Sequence, residues 1–191
     1  MTTAYIYETT GKIVGVRSGN QAGVVIDAEA TGKQYILSEE EAGADTHYVN
    51  VSTKEIVQYP TKPSDSYVFN YPAGEWQFDL DVGKERKWRD MKQARSNEEF
   101  DAFECNSKTF ECDAVSQARI QASVQAAIID GAFTTTWTAS DNTTITVNAD
   151  EMKELGKALA NHVKACHDRG RIVRALIDAA TTEAELEEIN W

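Results

Sequence analysis

The amino-acid sequence predicts an α+β protein: an N-terminal antiparallel β-hairpin domain over residues 1–80, a helical linker over 81–98, and a C-terminal α+β domain over 99–191 in which two β-hairpins alternate with helices. Three observations carry this. Residues 1–80 hold short runs of Tyr, Val, Ile and Thr broken by Gly, Asn, Asp and Pro, the pattern of strands and turns. From Val82 onward the apolar spacing lengthens to three and four residues, the period of helices. Finally, a chain of 191 residues that is 41% hydrophobic and 9% aromatic has enough apolar material for one or two small cores.

Candidate strands in the first domain are 4–7, 13–17, 24–27, 34–37, 47–51, 55–58, 68–71 and 75–79. Thr10-Gly11, Gly19-Asn20, Thr31-Gly32, Ser52-Thr53-Lys54 and Ala73-Gly74 supply the turn chemistry between them. Pro60, Pro63 and Pro72 are the only prolines, and they place an extended connector around 59–65. A helix over 82–95 follows, capped by Asp79-Leu80-Asp81, with Trp88, Met91 and Ala94 on one side.

Beyond the linker, Phe103-Glu104-Cys105 and Thr109-Phe110-Glu111 flank a turn at Asn106-Ser107-Lys108. Asp113 caps a helix to about Asp130, with Ile120, Val124 and Ile128 on its apolar face and Gly131 as the stop. A second hairpin pairs 133–139 with 143–148 around Ser140-Asp141-Asn142. Asn148 and Glu151 then have capping-box spacing for the longest helix, whose apolar positions run from Met152 through Leu155, Leu159 and Val163 to Ala180. Gly170 costs about 1 kcal/mol relative to Ala in a helix, so a bend or break is expected there. Thr182 and Glu185 open a short last helix that returns Leu186 and Ile189 to the core. No internal repeat at a solenoid period and no low-complexity tract is read.

With 31 acidic and 19 basic residues, the net charge of −12 disfavours nucleic acid and anionic membrane surfaces. The basic cluster of Lys84, Arg86, Lys87, Arg89, Lys92 and Arg95 is interleaved with Glu85, Trp88 and Asp90 and reads as one side of an amphipathic helix. No apolar run is long enough to insert in a membrane, and residues 1–7 lack the basic-then-apolar pattern of a secretory signal. Synthesis in the host cytoplasm and use without Sec export are expected.

No catalytic, cofactor-binding or metal residues are assigned. Cys105, Cys112 and Cys166 match no zinc-ligand spacing and read as reduced, partly buried thiols. His162 and Cys166 share a helix face beside His167, but two ligands do not make a site. The Cys166-His167 pair has no oxyanion-hole turn to serve a nucleophile. Glu39-Glu40-Glu41 reads as a solvated loop or strand end, and Asp79 to Lys84 supplies only fragments of a calcium loop. Gly15, Gly19 and Gly23 form neither a dinucleotide fingerprint nor a phosphate loop. Tyr67, Phe69, Tyr71, Trp76 and Phe78 make one face of a hairpin strongly aromatic, and in so small a domain that face reads as core.

Several stretches together resemble a known family. Tyr48-Val49-Asn50-Val51, Lys54-Glu55-Ile56-Val57, Pro60, Pro63, Val68-Phe69-Asn70 and Glu75-Trp76 resemble the strand, turn, proline and aromatic pattern of small tail and tail-fibre proteins of tailed bacteriophages. Lys87-Trp88, Lys92 and Ala94-Arg95 resemble the basic-aromatic helix that follows it. Phe110 to Asp113, Ser116, Ala118-Arg119-Ile120-Gln121, Thr136-Trp137-Thr138, Asp141-Asn142, Leu155-Gly156 and His162-Val163 resemble a C-terminal domain of unknown function common in such proteins. The resemblance covers most of residues 47–191. It implies a virion structural protein, a tail-fibre or baseplate-associated subunit that attaches tail components to one another, without enzymatic activity or cofactors. Arg119, Trp137 and Asn142 read within it as a helix arginine covering apolar surface, a core tryptophan and a turn residue. Expected partners are other tail, fibre or baseplate proteins and further copies of the chain, a trimer being the form tail fibres often take. For self-association, Met152, Leu155, Leu159, His162, Cys166, Arg169, Val173, Leu176 and Ala180 nearly follow a coiled-coil seam. The alternatives are a tail-fibre assembly chaperone and a receptor- or carbohydrate-binding module.

Overall fold

Alternation along the first strand, β1 (Thr2–Tyr7), sends Ala4 and Ile6 to one side and Tyr5 and Tyr7 to the other, and both sides are buried. A computed structural model describes residues 1–191, in two compact units, Met1–Val82 and Gly83–Trp191. It is α+β, with antiparallel hairpins in the first unit and hairpins alternating with helices in the second.

In the first unit β2 (Ile13–Gly19) leads into helix α1 (Gln21–Glu29) and then β3 (Gln34–Ser38), giving a sheet of order β2-β1-β3 with β1 antiparallel to both neighbours. The expected strand at 24–27 is therefore a helix. Asn20 caps it by accepting the Gly23 amide at 2.9 Å, and Val24 and Ala28, four residues apart, pack on Ala4 and Ile6. This docking overrides the strand preference of Val24-Val25-Ile26 and leaves Ile26 66% exposed.

The opposite side of the sheet is covered by a hairpin of β4 (His47–Asn50) and β5 (Glu55–Gln58), whose Val49 joins Tyr5, Tyr7 and Ile13. A second hairpin, β6 (Tyr67–Asn70) and β7 (Glu75–Phe78), repeats the first twenty residues later. Asn50 and Asn70 occupy the same register position, as do Glu55 and Glu75. Each asparagine carbonyl accepts the amide that closes its loop at 2.8 Å, from Lys54 and Gly74, and each side chain accepts loop amides. Lys54 and Gly74 both take positive φ, 59° and 70°. The chain thus contains a two-copy hairpin repeat, concealed in the sequence because side chains other than the Asn and Glu differ between copies.

The second unit is organised on one helix. Helix α2 (Leu80–Glu99) opens on Asp79, which accepts the Asp81 and Val82 amides, and runs to Glu99 rather than stopping near 95. From Gly83 it belongs to the second unit instead of standing as a separate linker. The hairpin β8 (Phe103–Cys105) and β9 (Lys108–Phe110) turns on two residues, Asn106 and Ser107, both at positive φ, so Lys108 pairs with Cys105 instead of lying in the turn. Helix α3 (Ala114–Ile129) is capped by Asp113 and buries Ile120 and Ala127. The expected apolar position Ile128 is 67% exposed, because the helix presents Ala127 to the core instead.

The hairpin β10 (Thr134–Thr138) and β11 (Thr144–Asn148) leads directly into α4 (Ala149–Ala179), opened by the Asn148/Glu151 capping box. Met152, Leu155 and Leu159 of α4 join Phe103, Phe110, Ile120 and Val147 in one core. Helix α4 passes through Gly170 unbroken, and a Cβ there would lie 3.2 Å from Arg95 Cδ, so the small residue serves close packing rather than a bend. Helix α5 (Glu183–Glu188) is capped by Thr182 and buries Leu186.

Helices α3 and α4 approach closely at Gly156, where a Cβ would come within 2.5 Å of Val124 Cγ2. Gly156→Ala is expected to destabilise the chain by about 1–3 kcal/mol through overpacking. In a Val124→Ala background the same change becomes neutral or stabilising, by up to about 1 kcal/mol from helix propensity. Denaturant unfolding of the four proteins checks this reversal of sign. A second prediction follows from Asp113, held below the ordinary 3.8 by hydrogen bonds from the Ser116 hydroxyl and the Ser116 and Val115 amides. Because the folded-state value is depressed, this stabilisation is complete above the ordinary value and is lost as pH falls through the folded one. Asp113→Asn keeps a capping side chain without the charge, so thermal unfolding should find the wild-type advantage greatest near neutrality and shrinking as the solution is acidified below the ordinary value of 3.8.

Candidate functional site

The two hairpins of the first unit stack through their aromatic side chains. Phe69 and Trp76 face one another across β6 and β7, as Tyr67 and Phe78 do, so the sequence-predicted aromatic face forms. It lies on the outer side of the first hairpin: Phe69 sits edge-on to Tyr48 at 4.8 Å and to Tyr59 at 4.6 Å, and Tyr48 and Tyr59 stack at 5.4 Å. Phe69 and Tyr48 are buried, while Tyr59, Tyr71 and Trp76 are half-buried. Gly74 sits under the Tyr48 hydroxyl, which would be 2.7 Å from a Cβ, so one residue both turns the second hairpin and lets the first approach it.

Polar atoms at the rim are also engaged. Trp76 Nε1 donates to the Pro60 carbonyl at 2.7 Å, and Tyr59 donates to the Tyr71 hydroxyl at 3.2 Å. Burial, reinforced by that hydrogen bond, pushes the Tyr59 hydroxyl above its usual range. Lys62 Nζ lies 5.4 Å over the Trp76 ring, while Phe69 and Tyr59 lie 5.1 and 5.9 Å from the same ring. A sugar platform needs an open ring face, and the contacts around Trp76 weigh against that use.

The second unit places the remaining singled-out residues. Cys112 and Cys166 are buried and Cys105 is half-buried, and all three are free thiols. Burial pushes each above the ordinary thiol value, which keeps them protonated and weakly nucleophilic. His162 stacks on Phe103 at 5.9 Å and donates from Nε2 to the Glu98 carbonyl at 3.0 Å. His167 turns instead to Glu99, 3.2 Å away. No three His, Cys, Asp or Glu side chains converge as a metal-binding group. Trp137 packs against the core, Arg119 is exposed on α3, and Asn142 closes its turn at φ 62°. Glu39, Glu40 and Glu41 are exposed after β3.

The basic cluster of α2 has a structural use. Lys84 donates to the Asp178 carbonyl in the last turn of α4 at 2.9 Å, and Lys87 reaches the Glu187 carbonyl at 3.5 Å. Farther along, Trp191 donates from Nε1 to Glu98, and Arg169 lies 5.0 Å over the Trp191 ring. The seam expected to drive self-association is largely consumed here: Met152, Leu155, Leu159, Cys166 and Val173 are at most 4% exposed within the single chain. Leu176 alone among its aliphatic residues remains open, at 51%. Sequence reasoning missed a row of cations on α4, Lys153, Lys157, Lys164 and Arg171, which the structure sets beside the apolar side chains of α3.

The geometry defines an α+β protein with a stacked-hairpin unit followed by a helix-rich unit. The chain belongs to the family described as a domain of unknown function, DUF4376, which matches residues 83–190. No curated protein and no solved structure matches it. No helix is long and apolar enough to cross a membrane.

Trp76→Ala removes a ring that holds the second hairpin onto the first, and is expected to lower stability by about 2–4 kcal/mol. Equilibrium unfolding followed by near-ultraviolet circular dichroism measures this; an unchanged transition with lost carbohydrate binding would instead make Trp76 a sugar platform.

Proposed function

We propose that the chain is a non-enzymatic structural subunit of a bacteriophage tail, fibre- or baseplate-associated, that attaches tail components to one another. The observation that carries this reading is the tandem hairpin stack. It coincides with the Tyr48-to-Trp76 stretch on which the resemblance to small tail and tail-fibre proteins rests. Repeated hairpins that stack by their faces suit assembly, since each adds surface without a new fold. Each hairpin is also only two-stranded, so β5, β6 and β7 have one ladder partner each and an outer edge open to pairing with another chain, whereas β4 already gives its Val49 amide to the Gly11 carbonyl.

Other tail proteins and further copies of the chain are the proposed partners, and the tail of the virion is the proposed location. With the apolar seam of α4 consumed internally, association between copies falls to the hairpin unit or to other surfaces of the second unit. The acidic net charge of −12 is equally compatible with an assembly chaperone.

Quantitative mass spectrometry of purified particles distinguishes the two. A fixed ratio to the main tail proteins, in multiples of three or six, is the expected result. Absence from mature particles, with recovery on immature fibres, would replace the structural subunit by the chaperone.

A further inference from the structure

Between α3 and α4 runs a groove of about 770 Å³ whose lining includes four cations and no carboxylate, on a chain of net charge −12. Its floor is apolar, built from Ile120 and Val124 of α3 and Leu159 and Val163 of α4, with Gly156 keeping it shallow. Lys153, Lys157, Lys164 and Arg171 stand along the α4 side, and Gln117, Gln121 and Gln125 along the α3 side. The cations recur at steps of four and seven, so they lie on one stripe of the helix that extends about 27 Å from Lys153 to Arg171.

We propose that this groove receives an acidic amphipathic α-helix of a partner protein. Shape, charge and backbone chemistry each point to that occupant. The stripe matches a partner helix of about 18 residues at the ordinary rise. Both walls are helices whose interior backbone groups are already paired, so an extended peptide would find no ladder there, whereas a helix satisfies its own backbone. An apolar floor beneath a cationic edge selects a helix with an aliphatic stripe flanked by Glu or Asp.

Present partners do not block the cations. Lys153 pairs with Asp150 at 3.0 Å, Lys157 with Glu154 at 3.7 Å, and Lys164 with Asp168 at 2.5 Å, while Arg171 also meets Asp168. These are solvent-exposed pairs of the kind worth about 0–1 kcal/mol, so a docked carboxylate can share or replace them. A second copy of the chain is disfavoured as occupant because its long helix already buries its apolar stripe, Met152 to Ile177, within its own chain.

The proposal rests on the reading of the chain as an interaction protein and names one face and one partner chemistry for it. Its test uses the purified full chain and two synthetic 18-residue amphipathic helices with the same leucine stripe, one flanked by Glu and one by Lys. Isothermal titration at low and physiological salt should find the Glu peptide bound at least tenfold more tightly, with the preference shrinking as salt rises. Lys157→Glu/Lys164→Glu should invert the preference, and Lys157→Gln/Lys164→Gln should abolish it. Both side chains are about 70% exposed, at 69% and 70%, so these variants should retain the parent's circular dichroism and melting temperature. Equal binding of the two peptides, binding of neither, or a preference untouched by the substitutions overturns the proposal. So does self-association of the chain that the Glu substitutions abolish, which would make a second copy the occupant. Because no virion is involved, failure here is distinguishable from failure to find the chain in particles.

Discussion

Burial of one side of α4 is the constraint on which the second unit depends. Met152, Leu155 and Leu159 meet α3 and the two hairpins, and Cys166, Gly170, Val173 and Ile177 carry the buried stripe through to the end of the helix. A helix of 31 residues gains little from backbone propensity alone compared with what such a stripe gains by leaving water. The other elements are then placed by what they bring to it: α3 at the close contact of Gly156 and Val124, α2 at Gly170 and Asp178, and the C-terminal Trp191 at Arg169. Buried in this way, the stripe is a core within one chain.

The first unit solves the same problem with short strands. Small β-hairpins cannot bury both faces alone, and here each uses its neighbour. Tyr5 and Tyr7 of the sheet receive Val49, and Tyr48 and Tyr59 on the far side of that hairpin receive Phe69 and Trp76. The outer face of the second hairpin carries Val68, 53% exposed, and Gln77 in place of Tyr48 and Val57, so the aromatic stack ends there. Edge-on ring pairs of this kind contribute about 0.5–1.5 kcal/mol each beyond burial, enough to fix the order of the stack.

Most of the architecture was legible because local signals and packing agree. Asp113, Asn148 and Thr182 each accept the amides that their spacing implied, and the two C-terminal hairpins form at Phe103 to Phe110 and Thr134 to Asn148. Where local preference and packing disagree, packing prevails: Val24-Val25-Ile26 is helical because Val24 and Ala28 reach β1, and Gly170 stays helical because Arg95 packs beside it. The coiled-coil pattern of α4 could be seen in the sequence, but a heptad seam is the same whether filled by another copy or by the chain itself. The groove cations were harder still, since a cationic edge emerges only when Lys153, Lys157 and Lys164 are set beside the apolar floor supplied partly by α3.

Leu155→Ala in the full chain tests this account most directly, with unfolding free energy and hydrodynamic size measured on the same samples. Leu155 is 2% exposed within one chain, so the account predicts a loss of about 2–5 kcal/mol in unfolding free energy at unchanged association state. An unchanged unfolding transition accompanied by a smaller particle would contradict it, because Leu155 would then be holding copies together instead of the fold.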